Sequence, residues 1–213
     1  EEGNDFEEAE EPQKIEEPDP EKCEEGTEGR IVLTWDEWLF SNTGFSKGSN
    51  TAAFIGNVTK WLKRCNRKSG HKFHALSGGF ALTGNQLSQV LSTSGYTYTT
   101  GMELELTPEN LRQYDWIFFS GWTPISDANK FADIFEAYVK DGGNILIAGG
   151  TGQPYGHKGE ALYYNRLLQR FGLEYTGGKD GSQGLKKVNM DHEIFSGVSK
   201  LYYKYGTPIK LHG

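Results

Sequence analysis

The chain has 213 residues, of which 36% are hydrophobic, with 29 acidic and 22 basic side chains giving a net charge of −7. That charge is unevenly placed: residues 1–29 hold fourteen Asp/Glu against two Lys, so residues 30–213 carry a net +5. No apolar run nears the roughly 18 residues that span a bilayer, and the basic residues are scattered rather than striped, which argues against a membrane span and against nucleic-acid binding.

Residues 1–29 are rich in Glu and Pro, and Phe6 and Ile15 are nearly their only large apolar side chains. Such a segment buries too little surface to offset its ordering entropy, so it reads as a disordered acidic tail. It is suited to binding cations or a basic surface, or to keeping the protein in solution. Residues 30–213 suit one domain with a sizeable core. A start at Glu1 fits a processed precursor or a trimmed chain, and a soluble, secreted protein is the expectation. Cys23 and Cys65 are the only cysteines and lack a C-x-x-C spacing. In an exported protein they would form a disulfide worth roughly 3–4 kcal/mol, tying the tail to the end of the first helix. The alternative is two independent thiols.

From Arg30 the pattern alternates between strands and helices. Ile31, Val32 and Leu33 open a buried strand running toward Trp35, and the loop 41–49, with Gly44 and Gly48, reads as a lid or rim. Ser49 or Asn50 caps a helix in which Phe54, Ile55, Val58, Trp61 and Leu62 recur at helical spacing. That helix holds the only glycosylation sequon, Asn57-Val58-Thr59, which makes it a poor acceptor. Residues 72–76 form the next strand, 84–94 a short helix, and the Tyr/Thr-rich 96–100 another strand. Pro108 starts a brief helix. The continuously apolar 115–119 and 144–148 predict strands covered on both faces, flanking an amphipathic helix over 127–140. A further helix spans 159–171, and 173–211 reads as short strands and loops.

This alternation predicts an α/β fold, a mostly parallel sheet flanked by helices in a three-layer, flavodoxin-like sandwich. Ligands collect at the carboxyl ends of such strands. Those ends carry Trp35-Asp36-Glu37, Ser77-Gly78-Gly79, Ser120-Gly121-Trp122 and Gly149-Gly150-Thr151-Gly152.

The run from Tyr114 through the Phe131 helix, Gly142-Gly143, the 144–148 strand and the Gly-rich elbow at 149–152 resembles the class I glutamine amidotransferase-like fold. Asp36-Glu37-Trp38, the 54–62 helix and residues 142–150 look like the amino-terminal domain of the TRP-channel-associated factors, to which domains accompanying enhancin-like metallopeptidases are related. The resemblance covers roughly residues 30–200. It implies that an active enzyme would carry a Cys nucleophile on the elbow, with His and Glu further along. Here the elbow offers Gly150 and Thr151 instead, so thiolate chemistry has no nucleophile.

Three residues remain as candidates for chemistry. His192, beside Glu193, is similar to the His-x-Glu pair of the active enzymes, yet adjacent residues on extended backbone face opposite ways. Thr151 could act with His157 as base, although Thr at such a position also caps helices. Ser120, like Ser77, ends a strand without the G-x-S-x-G pattern. Asp36 and Glu37 could bind a cation or act as acid and base; the alternative is that one caps a neighbouring helix or pairs with Lys60 or Arg64. The Gly-rich elbow could cradle a phosphate at the next helix, but it matches neither the P-loop nor the dinucleotide fingerprint. The sequence calls for no cofactor and no metal.

Trp35, Trp38, Trp122, Tyr155, Tyr163 and Tyr164 fall in or near the rim, where amphipathic aromatics suit a sugar or a partner surface. The expectation is therefore a non-catalytic binding or assembly module with a glycan or protein partner. Asp36, Glu37, Ser77, Ser120, Trp122, Gly150 and Thr151 would be its ligand-facing residues. A hydrolase using Thr151 or Ser120 with a His base, and a self-associating structural subunit of an extracellular assembly, are the alternatives.

Overall fold

In the centre of the sheet the side chains alternate between two cores. The computed structural model describes residues 28–63, 71–77, 81–120, 125–152 and 156–212. The strand Ile31–Thr34 (β1) is followed by the short helix Asn42–Ser46 (α1) and the longer Thr51–Lys63 (α2). Lys72–Leu76 (β2), Asn85–Thr93 (α3), Thr97–Thr100 (β3) and Pro108–Leu111 (α4) come next. Trp116–Ser120 (β4), Ala128–Lys140 (α5), Asn144–Ala148 (β5) and Gly156–Leu168 (α6) complete the main body. All five strands are parallel, in the order β3-β2-β4-β5-β1. Two antiparallel pairs follow, Leu173–Tyr175 (β6) with Ile209–Leu211 (β9), and Gln183–Lys187 (β7) with Lys200–Lys204 (β8).

Every residue of β4 and β5 is buried, which is why both read as unbroken apolar runs. Trp116, Phe118, Leu146 and Ala148 pack on one face with Phe54, Ile55, Val58 and Leu62 of α2 and Leu87 and Leu91 of α3. Ile117, Phe119, Ile145 and Ile147 pack on the other with Phe131, Phe135 and Val139 of α5 and Tyr164, Leu167 and Leu168 of α6. The helices following β1 and β2 thus lie on one face, and those following β4 and β5 on the other. Neighbouring strands β1 and β5, and likewise β2 and β4, send the chain to opposite faces. In a parallel sheet such switch points open a crevice at the carboxyl edge. The arrangement is consistent with a Rossmann-type or flavodoxin-like α/β fold. No helix among the described residues is long and apolar enough to cross a membrane.

The structure differs from the sequence expectation at three places. The loop 41–49 contains α1, capped by Ser41, whose Oγ accepts the Gly44 N–H at 3.2 Å. Five residues are too short to show a helical period, and Gly44 is needed because a methyl group there would lie 2.4 Å from the Trp38 carbonyl oxygen. The helix expected at 159 begins at Gly156 and tightens into a 3-10 turn at Gln169–Phe171. Neither Ser49 nor Asn50 spends its side chain on a cap of α2 in the way their types suggest.

Those two side chains instead fasten β8. The Asn50 Oδ1 accepts the N–H groups of Ser199 and Lys200 at 3.0 and 3.1 Å, and the Ser49 Oγ accepts that of Tyr202 at 3.1 Å. The Lys204 N–H goes to the Asp36 carboxylate. Side-chain oxygens from three positions therefore do for alternate residues of β8 what a neighbouring strand would do. On the far side of the same core, Asn57 donates its amide to the carbonyls of Ile194 and Ser196 at 3.3 and 2.7 Å, clipping α2 to the 3-10 turn Glu193–Phe195.

Candidate functional site at the carboxyl edge of the sheet

β1 ends at Thr34, and the chain turns so that Asp36 is fully buried. One carboxylate oxygen accepts the Trp38 N–H at 2.8 Å, which starts the 3-10 turn Trp38–Phe40, and the other accepts the Lys204 N–H. Burial raises the Asp36 pKa to about 7; the two N–H donors pull it back and the Glu37 charge raises it further. Glu37 reaches across to β4, where the Ser120 hydroxyl donates to it at 2.5 Å. Burial pushes its carboxyl up as well, against the opposing effect of that hydroxyl.

A third carboxylate comes from α6. Glu160 is 1% exposed and accepts the Thr151 hydroxyl at 3.0 Å and the Gly152 N–H at 3.1 Å. Its pKa is raised to about 7 by burial, lowered in part by these donors and raised again by Glu37. Beneath the three acids the Tyr175 hydroxyl bridges β1 and β5, at 2.6 Å from the Thr34 carbonyl and 3.1 Å from that of Ile147.

The elbow after β5 must be glycine. A methyl group on Gly149 would lie 2.6 Å from the Tyr175 ring. Gly150 has φ +82°, and a methyl group there would lie 2.7 Å from the Trp35 carbonyl oxygen and 3.0 Å from the Gly206 Cα. The turn after β8 thus closes down on the elbow, helped by the Thr207 N–H donating to the Trp35 carbonyl at 2.8 Å. At its outer side the Lys204 ammonium sits 4.0 Å from the centre of the Trp38 ring and 5.3 Å from that of Tyr205.

The structure therefore brings Asp36, Glu37, Ser120, Gly150 and Thr151 together at one end of β1, β4 and β5. Ser77 is buried at the end of β2, on the other side of β4. Trp122, Tyr155, Cys23 and Cys65 lie outside the described residues. His157 flanks the elbow, where a methyl group on Gly152 would come 3.3 Å from its ring. Burial, aided by Lys179, lowers its pKa and so favours the neutral imidazole. His192 lies elsewhere. It is exposed, its Nδ1 accepts the Ile194 N–H at 3.2 Å, and its ring stands edge-on to Trp61 at 5.6 Å. Trp61 also stacks with Arg30, which precedes β1, so His192 belongs to the opposite, amino edge of the sheet. Tyr163 and Tyr164 are core residues rather than rim.

Glu160 is the site residue that the sequence reading passes over. Its signal was present: it stands four residues before Tyr164 and seven before Leu167, on the apolar stripe of a helix, where a lone acid needs buried partners. Chemically, the Ser120 and Thr151 hydroxyls both donate to carboxyl groups, and the elbow N–H of Gly152 is taken by the internal carboxyl of Glu160. Among the described residues, no group of three or more His, Cys, Asp or Glu side chains could hold a metal ion. No family model, curated protein or solved structure matches this chain.

Proposed function

We propose that this chain is a non-catalytic binding or assembly module on an amidotransferase-like scaffold, acting outside the cell with a glycan or protein partner. The observation that carries the reading is the Glu160 carboxylate, which accepts both the Thr151 hydroxyl and the Gly152 N–H. In an acyl-transfer site those two donors would belong to nucleophile and oxyanion. Here a fixed side chain of the same protein uses them, and the elbow residues 149–152 include no cysteine. Ser120 is committed in the same way to Glu37.

The rim has the composition of a recognition surface. Trp38 and Tyr205 lie beside the Lys204 ammonium at the edge of the site, and the Trp35 indole nitrogen and Thr207 hydroxyl are buried without hydrogen-bond partners among the described residues. Such groups are satisfied by water or by a ligand.

A substrate panel of esters, amides and glycosides tests the reading, run beside glycan and extracellular-protein arrays. The expected result is no turnover, with saturable binding to an array member that Trp38→Ala weakens. Turnover abolished by Thr151→Ala or Ser120→Ala would overturn it in favour of a hydrolase.

A further inference from the structure

β7 reads Gln-Gly-Leu-Lys-Lys and β8 reads Lys-Leu-Tyr-Tyr-Lys, four lysines and no acid over the two strands. Gln183 faces Lys204, Leu185 faces Tyr202 and Lys187 faces Lys200. The N–H groups of Lys200, Tyr202 and Lys204 are bound to Asn50, Ser49 and Asp36 and therefore point away from β7. These are then the non-hydrogen-bonded pairs of the antiparallel ladder, and the N–H and C=O groups of Gln183, Leu185 and Lys187 point outward from β7. Among the described residues the sheet has two strands only, so this edge is open. Over the hairpin face that carries Leu185 and Tyr202 lies a shallow groove of about 330 Å³, lined by Lys47, Gln183, Gly184, Leu185 and Tyr202. Leu185 is 44% exposed there.

Lysines on an open edge ordinarily keep other strands away. They oppose pairing with the β7 of a second copy, because that would set Lys187 among like charges. A segment of opposite charge meets no such barrier. We propose that β7 is the docking edge for an extended acidic peptide segment of a partner protein, which adds as a third strand. Main-chain hydrogen bonds to Gln183, Leu185 and Lys187 would hold it. One apolar side chain would lie against Leu185, and carboxylates two positions away on the same face would meet Lys187. This surface is separate from the crevice, and the assignment stands or falls independently of it.

The test uses the full chain and a labelled decapeptide Glu-Thr-Val-Thr-Glu-Thr-Val-Thr-Glu-Thr, which sets Glu and Val on one face and whose Lys-for-Glu counterpart is the Lys-Val peptide, followed by fluorescence anisotropy at low and high salt. Binding is expected at low salt and is weakened at high salt. It should be at least about tenfold weaker for a Lys-Val peptide and for the Leu185→Pro variant. Proline at 185 removes an outward N–H without breaking a bond to β8. Amide exchange should slow at Leu185 and Lys187 on binding and stay unchanged at Gly184. Absence of binding, or binding that ignores both Leu185→Pro and the sign of the peptide, overturns the assignment. Should Leu185→Pro fail to fold, Lys187→Glu decides: a shift of preference toward the Lys-Val peptide supports the edge, and an unaltered preference rejects it.

Discussion

The Asp36 carboxylate accepts the backbone N–H of Lys204, 168 positions further along the chain. The contact joins the end of β1 to the end of β8, and it does so with an acid whose pKa burial has raised to about 7. Folded Asp36 holds its proton more tightly than the unfolded chain does. Its stabilising contribution is therefore complete below pH 3.8 and is lost as the pH rises through about 7. Thermal melts of the native chain should show stability falling between pH 5 and 8, by roughly a few kcal/mol. The Asp36→Asn variant should lose much of that slope. It should be least stable relative to the native chain at pH 5, with the gap narrowing by pH 8.

Glu160 contributes the same sign of pH dependence, since its pKa is also raised to about 7. A glutamine in its place can accept the Gly152 N–H and donate to the Thr151 hydroxyl, so Glu160→Gln should stay within roughly 1 kcal/mol of the native chain. Glu160→Leu removes the acceptor of the Gly152 N–H and the Thr151 hydroxyl and should cost about 2–4 kcal/mol. Denaturant unfolding of the two variants checks the ordering.

The elbow predicts a sharper loss. Gly150→Ala combines a left-handed φ of +82° with a methyl group 2.7 Å from a backbone oxygen. Strain and overpacking together should cost roughly 2–5 kcal/mol. Tyr175→Phe removes only the hydroxyl that bridges Thr34 and Ile147 and should cost about 1–2 kcal/mol. Calorimetry on both would distinguish backbone strain from a lost hydrogen bond.

The Asn57-Val58-Thr59 sequon should stay unmodified when the protein is produced in a glycosylating host. The Asn57 amide is engaged by two carbonyls, and Thr59 is 3% exposed within α2. Intact-mass measurement reads this directly.

Much of the scaffold was legible because its signals are local. β2 and β5 fall on the residues expected, 72–76 and 144–148, and in β5 the reason is burial on both faces, which leaves a nearly unbroken apolar run. Asp36, Glu37, Ser120 and Thr151 do lie together at the strand ends, because topology alone places carboxyl ends side by side. What could not be read depends on distant partners. Asn50 and Ser49 look like caps until β8 is placed beside them, about 150 residues later. Glu160 shows its meaning only when the elbow is folded against α6. His192 resembled a catalytic residue by its neighbours in sequence, and the fold sends it to the far edge of the sheet.

The attachment of β8 carries a consequence for how the molecule tolerates change. A ladder between main chains survives nearly any side-chain replacement, whereas this one is written into Asp36, Ser49 and Asn50. Three point substitutions would therefore loosen this edge while the parallel sheet stays whole, leaving the hairpin held by the buried Leu201 and by the main-chain bond from the Asn50 N–H to the Lys200 carbonyl.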